Sequence, residues 1–114
     1  MSIPDNAEFL QNFGLEPYER NEDSSFCRYK KKSDDGLIEL EFSFDAIESS
    51  FQARLMVQNK EIFVVSSERL MEISIIADSK GKHVRTIFDI DGADAEAILT
   101  LEPRLHCNWW LLRR

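Results

Sequence analysis

The chain has 114 residues, 43% of them hydrophobic, and a formal net charge of −7. That length suits one domain, 1–114, with a modest core and excludes two independent domains joined by ordinary linkers. The charge opposes nucleic acid and anionic membrane surfaces and favours a cationic protein partner.

No apolar run reaches the roughly 18 residues a membrane span needs, and the start, Met-Ser-Ile-Pro-Asp, lacks the basic-then-apolar form of a signal peptide. A cytoplasmic protein with reduced thiols is expected. Two cysteines, Cys27 and Cys107, are too few for a disulfide framework, and a single Cys27–Cys107 bridge in a secreted form is the alternative. Three acidic blocks, 1–24, 33–61 and 89–104, alternate with short basic stretches.

Pro4-Asp5-Asn6 reads as a helix start, with Phe9, Leu10 and Phe13 at helical spacing and Gly14 as the stop. Residues 15–24 read as a polar loop. Ser25–Lys32 is a first strand, with Phe26 and Arg28 on one face and Cys27 and Tyr29 on the other. Its lysine-rich end fits an exposed edge, joined through Ser33-Asp34-Asp35-Gly36 to the next strand.

That next strand, Leu37–Phe44, carries the clearest pattern in the chain. Ile38, Leu40, Phe42 and Phe44 alternate with Glu39, Glu41 and Ser43, so the first set faces a core and the second faces away. Pairing Phe44 with Phe51 sets Phe42 against Ala53, Leu40 against Leu55, Ile38 against Val57 and Glu41 against Arg54. The last pair is worth a few tenths to about 1 kcal/mol. A turn at Asn59-Lys60 would pair Val57 with Ile62 and leave Met56, Phe63 and Val65 on a face needing cover from a helix.

Leu70–Ala77 and His83–Ile90 form a third hairpin, because isoleucines at 73, 75 and 76 favour extended chain. Its register is open, since pairing Ile73 with Phe88 places Glu72 against Asp89. Asp91-Gly92-Ala93-Asp94 is expected to open a second helix running to about Leu101, capped by Asp91 and stopped by Pro103. The apolar tail His106–Leu112 should pack back, for instance as a last strand. These elements predict an α+β fold: a single antiparallel β-sheet of about five to six strands in hairpin or meander order, with a short N-terminal helix and a C-terminal helix packed on it.

Signals for chemistry are weak. Counting an EF-hand from Asp89 places Asp94 at position six and Thr100 at position twelve, where glycine and glutamate are required. His83, His106, Cys27 and Cys107 lack the close spacing of a zinc site and read as buried structural residues. Neither cysteine has the local signature of a nucleophile, and there is no phosphate loop or nucleophile elbow. Glu39 and Glu41 would sit about 6.6 Å apart on one strand face, but solvated strand carboxylates are far commoner than catalytic pairs. Arg28-Tyr29-Lys30-Lys31-Lys32 reads as a guarded edge strand rather than a nucleic-acid site. Trp109-Trp110 reads as one ring in the core and one covering a helix, the alternative being an interface anchor. No enzyme activity, cofactor or metal is expected.

An acidic sheet protein without catalytic residues is best explained as one that binds another protein. In size, acidity and α+β pattern the whole chain resembles the small immunity proteins that accompany bacterial toxins, including those of contact-dependent growth inhibition and related polymorphic toxin systems. That group shares no single motif, so no binding residue carries over. The resemblance implies stoichiometric neutralisation of a toxin domain, often a nuclease, by occlusion of its active site. Charge supports the same partner independently, because a nuclease must be basic to hold its substrate. The candidate partner-binding residues are Glu39 and Glu41 on the wet face, with Asp34, Asp35, Asp45 and Glu48 at the loop ends; the alternative is that they only keep the protein soluble. The chain also resembles type III secretion chaperones in acidity, size and a leading helix, but lacks their long leucine-rich second helix. A small-molecule or enzymatic role ranks third, and oligomeric state is left open.

Overall fold

Period-two alternation governs almost the whole chain in the computed structural model, which describes residues 2–21 and 25–112. One helix, α1 (Asn6–Phe13), precedes the strands β1 (Glu19–Asn21), β2 (Phe26–Lys32), β3 (Ile38–Asp45), β4 (Ser50–Val57) and β5 (Lys60–Ser67). Then come β6 (Leu70–Asp78), β7 (Gly81–Ile90), β8 (Ala93–Glu102) and β9 (His106–Leu112). Strands β1 to β5 form one antiparallel sheet in chain order, and β6 to β9 form a second. The expected single-sheet α+β fold is therefore corrected: the described residues make a mostly β protein of two sheets with one short helix.

The expected C-terminal helix is strand β8. Alanine and glutamate favour helix, but Ala95, Ala97, Leu99 and Leu101 recur every second residue and are all buried. A helix would scatter those positions around its axis, whereas a strand puts them on one face. Asp91 and Gly92 are both left-handed (φ 49° and 84°), which makes a two-residue hairpin turn of Asp-Gly rather than a helix cap.

The β3–β4 hairpin has the register its pattern specifies, Phe44↔Phe51 through Ile38↔Val57 with Glu41↔Arg54. The following turn differs. Gln58 and Asn59 take left-handed conformations, Val57 pairs with Lys60, and the register shifts at Leu55/Met56. Val65 consequently lies opposite Ala53 on the core side, while Phe63 is exposed, and no helix among the described residues covers that face. In the third hairpin Leu70 pairs with Phe88 and Ile73 with Thr86, which moves Glu72 away from Asp89 to lie opposite Ile87. The stretch expected to be a loop contains β1, though Glu22–Ser24 lie outside the described residues. Strand β1 pairs only with Phe26–Arg28, so the lysine-rich half of β2, and not the whole strand, remains at the edge. The tail packs back as β9.

The two inner faces share one core, in which the Phe51 and Phe88 rings lie 5.6 Å apart across the sheets. Helix α1 adds to it. Asp5 caps the helix by accepting the Glu8 N–H (2.8 Å), Gly14 ends it in the left-handed region, and Phe9 stacks on Tyr29 at 4.4 Å. The Tyr29 hydroxyl donates to Asn6 Oδ1 at 2.7 Å, tying the first helical turn to β2. At the β5–β6 corner the Leu70 N–H donates to Ser49 O and the Asp89 N–H to Arg69 O. The β3–β4, β5–β6 and β7–β8 connections thus meet at one end of the molecule.

Candidate partner-binding surface

On the outer face of the five-stranded sheet, antiparallel pairing brings one charged residue from each strand into a row. Glu19 on β1 pairs with Arg28 on β2 at 2.7 Å, and Arg28 reaches Glu41 on β3 at 3.5 Å. Glu41 meets Arg54 on β4 at 3.4 Å, and Arg54 pairs with Glu61 on β5 at 2.7 Å. Sign alternates at every step, and the row nearly neutralises itself. The Tyr18 hydroxyl accepts from Arg28, and Lys30 Nζ lies 3.9 Å from the Tyr18 ring centroid, so this loop residue roofs part of the row. Hydrogen bonding to Glu61, reinforced by Glu41, raises the pKa of Arg54.

This row changes the meaning of the sequence-derived acids. Glu39, Glu41 and Ser43 do point away from the core, yet Glu41 and Ser43 are buried, because neighbouring long side chains cover them. Asp45 is also buried; its Oδ1 accepts the N–H groups of Ile47 and Glu48, holding the β3–β4 turn. Asp35 accepts from the Ser33 hydroxyl at 2.7 Å and from the Leu37 N–H, which lowers its pKa, the hydroxyl first. Glu39 is half-buried between Lys32 and Met56, while Asp34 and Glu48 are exposed. The six do not form one patch. Asp34 and Asp35 lie at one end of β3 and Asp45 and Glu48 at the other, about 24 Å away for a strand of this length.

Other acids, which sequence order kept apart, gather around the end holding Glu48. Backbone hydrogen bonds join the turns of residues 46–49, 67–70 and 90–93, which places Glu48, Glu68, Asp89, Asp91 and Asp94 at the same end of the molecule, with Asp89 directly opposite Asp94. Arg69 lies there, 3.5 Å from Asp89, Arg20 stands opposite Cys27 close to Asp45, and Arg113 and Arg114 lie outside the described residues. Asp89 also accepts the Gly92 N–H at 3.1 Å, which fixes it in the turn. The signal that could have found this acidic end is Asp91-Gly92, which marks a hairpin and hence the pairing of Asp89 with Asp94.

The soft ligands are dispersed. Cys27 Sγ lies 3.7 Å from Asn6 Oδ1, Cys107 packs against the core, and both thiols are unpaired, with pKa values raised by burial. A raised thiol pKa works against nucleophilic use. His83 is buried with both ring nitrogens engaged, to Thr100 Oγ1 (2.8 Å) and Asp78 Oδ1 (2.9 Å). That hydrogen bond to His83 lowers the pKa of Asp78. The tryptophans divide differently from expectation: Trp109 stacks on Phe88 at 4.9 Å, while Trp110 faces outward with no helix over it among the described residues.

The same arrangement of strands occurs in a solved structure. A chain of a contact-dependent growth inhibition toxin–immunity protein complex from Klebsiella pneumoniae 342 matches with a TM-score of 0.87, over 96% of this chain and 95% of that chain, at 20% identity. The likeness is one of fold. No protein-family model matches the sequence, and no curated protein does. No helix among the described residues is long and apolar enough to cross a membrane.

Proposed function

We propose that this protein is an immunity protein of a contact-dependent growth inhibition system, a non-catalytic inhibitor that neutralises a cognate toxin domain inside the cell by binding it. The observation that carries the reading is the match in fold, end to end in both chains, with a chain of a toxin–immunity complex. The net charge of −7 favours a cationic toxin, such as a nuclease, whose active site the inhibitor covers. The six acids named from sequence enter this role unequally. Glu41 and Asp45 are committed to partners within the chain and Asp35 to its turn, so Asp34, Glu39 and Glu48 are the carboxylates offered to the toxin. Glu48 has the strongest support, because it stands with Glu68, Asp91 and Asp94 at the acidic end. A secretion chaperone gains nothing from this architecture, which has one eight-residue helix and no second among the described residues.

The test is co-expression with the toxin domain encoded by the reading frame immediately upstream. Growth should be restored only when this chain is present, and sedimentation of the mixture should show a stoichiometric complex. Unrelieved toxicity with no complex would remove the reading.

A further inference from the structure

The outer face of the four-stranded sheet is built unlike the rest of the surface. Pairing runs Ile76↔His83↔Thr100↔His106 straight across its strands, with Ile98↔Asn108 and Trp110 in the rows beside it. Together with the β8–β9 turn, Pro103–Leu105, these residues line a cleft of about 730 Å³. Its apolar lining includes Ile76, Ile98 and Trp110. Its rim carries Lys80 and Arg104, and the one carboxylate in the lining, Asp78, is bound to His83. In a chain of net charge −7 this cleft has two bases in its lining against one engaged acid, with Trp110 beside them.

Its charge is opposite to that of the acidic end, and the two lie at opposite ends of the strands. The β8–β9 turn stands beside the β2–β3 turn, with which it lines a neighbouring cleft, whereas the acidic turns cap the far end. Inside this cleft Lys80 and Arg104 attract a carboxylate and not a base, although Asp34, Asp35 and Glu102 line the neighbouring cleft that shares Arg104.

We propose that this cleft receives an acidic segment of the toxin carrying an aromatic or branched aliphatic side chain, and that it sets which toxin is bound. The carboxylate pairs with Arg104 and Lys80 while the apolar side chain lies on Trp110 and Ile98. The division of labour is physical. Long-range attraction between a negative protein and a positive one sets the association rate and discriminates poorly among basic toxins. A local pair of reversed sign, formed only at contact, acts on dissociation and penalises a toxin with a base at that position. Tryptophan and arginine are the residue types that most often dominate such contacts.

The inference rests on the immunity reading, and its test separates the two. Binding of the upstream-encoded toxin domain is measured by surface plasmon resonance for the wild type, Arg104→Glu, Trp110→Ala and Glu68→Lys, after circular dichroism shows each variant folded. Hydrogen exchange of the wild type is followed in the same complex, so one readout is independent of any variant. Arg104→Glu and Trp110→Ala should each raise the dissociation rate at least tenfold with little change in association, and exchange should slow across 104–110. Glu68→Lys should chiefly slow association. Wild-type dissociation rates in both cleft variants, with no protection at 104–110, would overturn the cleft while leaving immunity intact. Absence of any binding by the wild type would overturn both.

Discussion

The outer face of the five-stranded sheet carries a row of alternating charge through all five strands, whereas that of the four-stranded sheet holds separate Arg85–Glu96 and His83–Asp78 pairs and shows Ile76, Ile98 and Trp110 among Thr100, His106 and Asn108. Their inner faces differ as well. The first sheet contributes Tyr29, Phe42, Phe44 and Phe51, and the second contributes Ala95, Ala97 and Leu99 from its central strand β8. Small residues on β8 let Trp109 reach over it to stack on Phe88. One sheet thus satisfies its charges internally and supplies bulk to the core. The other leaves Ile76, Ile98 and Trp110 on its exterior, and that is where the proposed cleft lies.

The largest effect should come from deleting bulk in the aromatic half. Phe42→Ala empties a fully buried position between Tyr29 and Ala53 and should cost about 3–5 kcal/mol, seen as a large fall in denaturation midpoint. A near-wild-type midpoint would mean the aromatic cluster is not the main store of stability. In the second sheet the sensitive point is backbone. Gly81 has φ 138°, and a Cβ there would collide with the Glu102 carbonyl and Pro103, so Gly81→Ala should cost about 2–4 kcal/mol by the same measurement.

Breaking the charge row should cost less. Glu41→Gln leaves Arg28 and Arg54 without the carboxylate between them and should lower stability by about 1–3 kcal/mol, discounted for the partial exposure of both arginines. Glu96→Gln removes one pair and should cost less than Glu41→Gln in urea titrations. Equal losses would show that the second arginine contact of Glu41 adds nothing to stability.

The smallest effect at neutral pH is a titration. Burial holds the Tyr29 phenol well above its ordinary value of 10.0, with Cys27 and Asp5 adding to the effect. The unfolded chain ionises first, so this contribution is intact below pH 10 and is lost as pH rises through the alkaline range. The slope approaches about 1.4 kcal/mol per pH unit for one proton. Tyr29→Phe should flatten it, and an unchanged alkaline slope in that variant would assign the effect elsewhere.

Alternation was legible where each residue took one side plainly. Ile38 to Phe44 specified not only a strand but its partner's register, because a slip by one would turn every apolar side chain to water. The same alternation ran through Ala93 to Glu102, but there the dry residues are alanines, whose weak hydrophobicity and high helix propensity disguise the period. The candidate site was less legible. Glu41 reads as an exposed acid until Arg28 and Arg54 are placed on either side of it, and those neighbours come from strands 13 residues away in each direction.

The amino-acid order by itself determined the strands whose dry residues are large, such as Ile38–Asp45 with its register against β4, and where the first helix starts and stops. Those are local properties of period, capping and composition. Tertiary structure alone decided that the strands divide into two sheets, that five charges alternate in a row, and that Glu48 shares an end with Asp91 while Arg104 and Trp110 share a cleft. A dry face states that it must be covered without stating by what, and charges find their neighbours only once the sheets have stacked.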